Sequence, residues 1–144
     1  AALCSGIVLA NAGLGVIHGL APALGSRFSI PHGVVCGTLM GAGNEITLKK
    51  LNDLAQADLN YQPFLNKYNR LGRLFSNRRS KGQHEAGGFI EEIQRIIDLL
   101  ELPRLSDFGA KQEELIDLID AASNKNNPVQ LSRADIQEIL LQRL

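Results

Sequence analysis

The sequence predicts an all-α fold, a helical bundle of about six helices. Apolar residues recur at helical spacing along most of the 144 residues. Alternation of apolar and polar residues nowhere persists long enough to indicate a strand. The composition, 44% apolar and 21% charged, is ordinary for one globular domain with its own core. Residues 1–144 are therefore interpreted as a single helical domain.

The first predicted helix covers much of residues 2–24, with a break near Gly13 or Gly15. Residues 25–30 are predicted as a loop. Pro31 suits the first turn of a second helix, which runs to about residue 57.

Three glycines spaced four residues apart share one face of this second helix. Such a face permits close packing of a neighbouring helix. For the first of them, Gly33, two interpretations stay open: packing alone, or space for a ligand beside His32. The three are Gly33, Gly37 and Gly41.

Four shorter helices follow. Pro63 opens one, a polar loop is predicted over residues 76–88, and a further helix over residues 89–100 is ended by Pro103. The apolar spacing over residues 115–122 predicts another. Ser132 caps the last helix with Asp135 at the N3 position, and Leu131 can pack on Ile136 as a hydrophobic staple.

Charged side chains are distributed very unevenly. The formal net charge is zero, so nothing favours a nucleic acid or an acidic membrane surface as partner. Among Asp, Glu, Lys and Arg, only Arg27 precedes Glu45. A segment so poor in charge predicts that residues 1–44 form an interior layer. The rest of the chain is short for covering that layer, which favours a piece of a larger protein.

The uncharged run over residues 1–26 is long enough to raise the question of a transmembrane helix. It contains Asn11, His18, Pro22 and many small residues, so a helix buried inside a protein fits better. A membrane-associated segment is kept as the weakest alternative. No basic region precedes the run, so a secretory signal is not predicted, and a cytoplasmic location is expected.

Three polar or reactive features are expected to carry no function. Cys4 and Cys36 have apolar neighbours and a spacing that fits no metal or redox motif, so both are predicted as buried free thiols. His84 lies in the polar loop and is predicted to be exposed and inert. A basic stretch is interpreted as a solvated face, with a phosphate or acidic partner as the alternative. Its members are Lys67, Arg70, Arg73, Arg78, Arg79 and Lys81.

Two histidines are the candidate metal ligands. His18 and His32 both lie in the uncharged segment, each followed by glycine, where an imidazole is costly unless paired or ligated. A short loop between two packed helices can bring both rings to one point. Two neutral imidazoles suit Fe²⁺ or Zn²⁺. Spacing by itself nevertheless favours two core histidines bonded to backbone, since two ligands do not make a site.

The residues around these histidines resemble the signature of the iron-containing alcohol dehydrogenases. The resemblance covers most of the chain and is strongest from Asn11 to Gly33. Its clearest segments are Asn11-Ala12-Gly13-Leu14-Gly15-Val16-Ile17-His18-Gly19-Leu20-Ala21, Leu24-Gly25 and Pro31-His32-Gly33, with weaker similarity at residues 105–110, 113–115 and 127–129.

The resemblance implies a two-domain enzyme with a helical carboxy-terminal half of the dehydroquinate synthase-like type. An amino-terminal α/β domain would bind NAD or NADP, and a divalent metal, Fe²⁺ with Zn²⁺ as alternative, would lie between the domains. One Asp and three His would hold the metal, with His18 and His32 matching the last two. The upstream D-x-x-x-H stretch that supplies the other two has no counterpart in this chain, nor has the glycine-rich nucleotide segment.

The implied activity is oxidation of a small alcohol or reduction of an aldehyde. The metal would act as a Lewis acid, and hydride would pass to or from the nicotinamide. Where the family often has a second histidine near the substrate, this chain has Pro22, so a proton-relay role is not carried over. The implied partner is the protein's own amino-terminal domain, a homodimer is left open, and the chain by itself is expected to be inactive. The alternative is a free-standing helical binding module without catalysis.

Overall fold

The computed structural model describes residues 2–75 and 86–144, and within these ranges all regular structure is helical. The predicted all-α class is confirmed. The α-helices are α1 (Ala2–Ala12), α2 (Val16–Phe28), α3 (His32–Ala57), α4 (Gln62–Phe75), α5 (Gly87–Leu99), α6 (Gln112–Asp117) and α7 (Arg133–Leu141). Short 3₁₀ helices cover Leu59–Tyr61, Leu105–Phe108 and Ile119–Ala121.

The first predicted helix is two helices, α1 and α2, which meet at an angle of 98°. The break falls at Gly13, whose φ of 69° is a conformation that glycine adopts without steric cost. The loop predicted over residues 25–30 is wrong in its first part, because α2 continues to Phe28. This helix ends where Ser29 takes a left-handed conformation with φ 55°.

Among the described helices, none is by itself long and apolar enough to cross a membrane; only the bent pair α1 and α2 meets those criteria jointly.

The central helix is α3, which contacts α2, α4, α5 and α7. Its glycine face is where α5 approaches. A Cβ atom added at Gly41 would lie 3.2 Å from the Ile97 Cδ1, and one added at Gly37 would lie 3.1 Å from the Leu102 Cδ1. Close packing therefore accounts for these two glycines. At Gly33 a Cβ atom would meet nothing within 4 Å, so that side of the helix is open.

The prediction of an interior layer over residues 1–44 is only partly correct. Side chains of α2 and α3, such as Leu20, Leu24 and Leu39, are fully buried. In contrast, α1 buries none of its residues, and Leu3 and Ile7 are 78% and 56% exposed. Low charge content therefore predicted burial correctly for α2 and α3 and wrongly for α1 in this chain.

The carboxy-terminal end follows the predicted caps. The hydroxyl of Ser132 accepts from the backbone N–H of Asp135, whose carboxylate in turn accepts from the Ser132 N–H, and α7 begins at the next residue. Leu131 and Ile136 are both buried, as the staple requires. The helix predicted over residues 115–122 is interrupted, because α6 ends at Asp117 and a 3₁₀ turn replaces its continuation. Residues 76–85 of the predicted polar loop lie outside the described residues.

Candidate metal centre

The start of α2 is held by a residue from the far end of the chain. The Val16 N–H donates to the Asn127 Oδ1 at 2.9 Å, which satisfies one of the free donors at the helix terminus. The Asn127 Nδ2 donates in turn to the Thr47 Oγ1 of α3 at 3.3 Å. A Cβ atom at Gly15 would lie 2.4 Å from that Asn127 oxygen, so a larger residue there would displace the Asn127 side chain. Asn127 therefore positions the helix that carries His18 against the helix that carries His32.

His18 and His32 converge although they belong to different helices. Their ring centroids are 5.5 Å apart, and the ring planes are tilted by 55°. His18 lies in the first turn of α2 and His32 is the first residue of α3. His32 is exposed and His18 is at most half-buried, which corrects the expectation of imidazoles enclosed in an interior layer. The site is therefore a convergent pair of rings at the protein surface.

Cys36 is a third donor that sequence reasoning missed. Its Sγ lies 3.5 Å from the Nε2 of His32, one helical turn earlier in α3. The donor atoms of His18, His32 and Cys36 all lie within 4.8 Å of one another and could hold a metal ion. The thiol is 9% exposed, and burial raises its pKa. The prediction of a buried thiol is correct for Cys36 and wrong for Cys4, which is exposed on α1.

The signal for Cys36 was present in the sequence as His32-x-x-x-Cys36. Residues four apart on a helix share a face, so a ligand pair at this spacing is geometrically natural. Imidazole nitrogen and thiol sulfur are both ligand types of Zn²⁺, and imidazole also suits Fe²⁺, so the cluster fits the metals expected from the sequence.

A small cleft of about 140 Å³ borders His18 on the side of α3 and α4. It is lined in part by Asn44 and Tyr68, and the Tyr68 hydroxyl donates to the Asn44 Oδ1 at 3.0 Å. Burial raises the pKa of Tyr68 to about 12. The phenol therefore keeps its proton at neutral pH and acts here as a hydrogen-bond donor.

Pro22 lies inside α2, one turn beyond His18. Proline has no N–H, so the backbone carbonyl of His18 lacks its usual helical donor. At this place the chain has no side chain that exchanges protons.

The other sequence candidates are His84 and the basic stretch. His84 lies outside the described residues, as do Arg78, Arg79 and Lys81 of the basic stretch. The described members of that stretch, Lys67, Arg70 and Arg73, are exposed along α4, in agreement with a solvated face.

Over the described residues, an all-α fold brings together three side chains whose donor atoms could hold a metal ion. The sequence profile described as "Fe-containing alcohol dehydrogenase family, C-terminal" matches residues 1–144. The chain belongs to this family, and the resemblance drawn from its histidine segments is confirmed. Among curated proteins, none matches the chain.

Solved structures share the fold. A 1,3-propanediol oxidoreductase is 23% identical with a TM-score of 0.79, and the match covers 99% of this chain and 36% of that chain. An alcohol dehydrogenase from Oenococcus oeni is 24% identical with a TM-score of 0.73, covering 96% and 35%. An archaeal halo-thermophilic alcohol dehydrogenase from a Red Sea brine pool is 20% identical with a TM-score of 0.68, covering 92% and 33%. The chain thus spans about a third of the length of these proteins.

Proposed function

We propose that this chain is the metal-binding helical part of an NAD(P)-linked alcohol dehydrogenase, in which His18 and His32 ligate a divalent metal. The observation that carries the proposal is the convergence of the two imidazoles, 5.5 Å apart on separate helices, within a chain of the Fe-containing alcohol dehydrogenase family. Fe²⁺ is the expected ion and Zn²⁺ the alternative, since imidazole suits both.

In this function the residues of the chain bind and orient. Asn127 and the packing of α2 on α3 hold the two rings at a fixed separation, so little ordering is left to be done when an ion binds. When bound, the ion supplies Lewis-acid polarisation of an alcohol or aldehyde oxygen, and a nicotinamide carries the hydride. Tyr68 and Asn44 line the adjoining cleft, where the Tyr68 hydroxyl donates a hydrogen bond to the Asn44 Oδ1.

The further components belong to a larger protein. We infer a nucleotide-binding domain on the amino-terminal side as partner, because neither D-x-x-x-H nor a glycine-rich nucleotide segment occurs in these 144 residues. The unburied apolar helix α1 supports a covering partner. The substrate is inferred to be a small alcohol or aldehyde, the location cytoplasmic, and the isolated chain inactive as a dehydrogenase. A homodimer contact on α1 is the competing arrangement.

Calorimetric titration with Zn²⁺ tests the proposed ligands. We expect weak binding in the 144-residue chain, because two of the four ligands that the family resemblance implies are not in it. His18→Ala and His32→Ala should each weaken that binding further, because each removes one donor. His84→Ala is the matched control, since His84 is the third histidine of the chain and no ligand role is proposed for it. Binding that survives both cluster substitutions and fails in His84→Ala would contradict the assignment.

A further inference from the structure

We propose that Cys36 is a third protein ligand, so that this chain binds its ion through two imidazoles and one thiolate. The inference rests on the proposed function of His18 and His32 and adds a donor of different chemistry. It makes the cluster a site of the sequence form His-x13-His-x3-Cys, with two donors from α3 and one from α2.

The distances within the cluster favour ligation. Around a tetrahedral Zn²⁺, a nitrogen and a sulfur ligand lie about 3.6 Å apart and two nitrogens about 3.4 Å apart, given the usual bond lengths. The Cys36 Sγ and the His32 Nε2 are already 3.5 Å apart. The full set of donor atoms lies within 4.8 Å, about 1.2–1.4 Å beyond these ligand–ligand separations at most.

The competing interpretation is a simple hydrogen bond between the Cys36 thiol and the His32 ring. Such a pair needs no third group, yet the His18 ring lies at the same point. The pattern of exposure also suits a bound ion. Cys36 is 9% exposed, whereas His32 is exposed and His18 is at most half-buried. An ion held by these three donors would have protein on its inner side, and its outer side would face the upstream Asp and His that the family resemblance implies.

A thiolate donor has a consequence for metal choice. Soft sulfur ligands favour Zn²⁺ and related late transition metals, whereas oxygen ligands favour Mg²⁺ and Mn²⁺. The chain is therefore expected to prefer Zn²⁺ and Co²⁺ to Mn²⁺ more strongly than two imidazoles alone would.

Co²⁺ spectroscopy provides the test, because a bound thiolate gives a ligand-to-metal charge-transfer band in the near ultraviolet and imidazoles do not. The chain has only two cysteines, so in Cys4→Ser the Cys36 thiol is the sole source of that band. We expect Cys4→Ser to show the band on titration with Co²⁺, and Cys36→Ser, which keeps Cys4, to lack it. Zn²⁺ affinity should fall by about tenfold or more in Cys36→Ser, since even indirect partners of metal ligands contribute that much.

Circular dichroism of each variant checks the helical fold, and Cys36→Ala replaces Cys36→Ser if the serine variant is unfolded. The Cys4→Ser variant tests the proposal with Cys36 untouched. Visible Co²⁺ bands without the charge-transfer band would overturn the role of Cys36 and leave the two histidines as ligands. A charge-transfer band lost in Cys4→Ser would overturn it in favour of Cys4. Absence of any Co²⁺ spectrum would overturn both this inference and the proposed function.

Discussion

Gly19 lies directly against the backbone of Ser123, so closely that a Cβ atom at position 19 would be 2.0 Å from the Ser123 carbonyl oxygen. Backbone atoms cannot turn aside as the end of a flexible side chain can, and only glycine fits. The contact packs the first turn of α2 next to the 3₁₀ helix Ile119–Ala121. Because His18 is the preceding residue, the same contact holds one candidate ligand in place.

Gly19→Ala is therefore expected to destabilise the chain by about 1–3 kcal/mol, the usual cost of forcing extra atoms into a packed site. Urea unfolding followed by circular dichroism measures the change. Gly33→Ala is the control, because a Cβ atom there meets nothing within 4 Å and alanine is the better helix former. Equal stabilities of the two variants would contradict the close approach at Gly19.

The buried Thr38 hydroxyl is hydrogen-bonded to both Pro103 and Arg143. It donates to the Pro103 carbonyl at 2.8 Å and accepts from the Arg143 Nε at 2.9 Å, and Arg143 is 8% exposed. Thr38→Val keeps the shape but leaves a buried guanidinium N–H and a carbonyl without this partner. We expect a loss of about 1–3 kcal/mol in the free energy of unfolding.

The comparison variant is Thr38→Ser, which keeps the hydroxyl and loses one methyl group. It should retain most of the stability that Thr38→Val loses. A serine variant as unstable as the valine variant would show that packing of the methyl group, and not the hydrogen bonds, is what matters at this position.

Asp135 makes the stability of α7 depend on pH. Burial by itself would raise its pKa, but hydrogen bonds from Lys50 and Ser132 outweigh that effect and lower the pKa below its ordinary value of 3.8. The carboxylate thus stabilises the folded state fully above that value. The contribution is lost as the pH falls through the lowered pKa of the folded protein.

The free energy of unfolding of the wild type and of Asp135→Asn should therefore differ at pH 7 and converge as the pH falls below about 3.8. Urea titrations at a series of pH values measure this difference. A gap between the two proteins that stays constant down to the acid limit would contradict a role for the charge.

The exposed face of α1 yields a prediction about stability. Leu3 and Ile7 contact little of the described chain, so Leu3→Gln combined with Ile7→Gln should leave the thermal midpoint unchanged. Leu20→Ala, at a fully buried position, should cost about 2–5 kcal/mol. If the double substitution destabilised the chain comparably, α1 would have to pack on this chain in solution.

The helical class, the break near Gly13 and the capped start of α7 were predictable because each depends on local chemistry. Apolar spacing indicates a helix, glycine permits a positive φ, and a Ser132–Asp135 pair is a capping box. The end of α2 was not predictable. Glycine is the usual residue in the left-handed conformation that ends a helix, but α2 continues past Gly25 and Ser29 takes that conformation instead. Nothing in a serine marks it for that conformation.

The candidate site was predictable only in part. The two histidines stood out because imidazoles are unusual in an uncharged segment. Asn127 was interpreted as part of a tail motif, and its contact with Val16 spans most of the chain, a distance at which spacing rules give no information. The apolar neighbours of Cys36 favour a buried thiol without function. Its spacing of four residues from His32 is nevertheless a local feature that places both side chains on one face of α3.

The loop that joins α2 to α3 has a bearing on the order of assembly. His18, His32 and Cys36 all lie within the hairpin formed by these two helices, and contacts so near in sequence close quickly and at small entropic cost. All three candidate donor atoms therefore lie in one local unit of the fold, and the contact between Val16 and Asn127 is the long-range one that ties this unit to the far end of the chain.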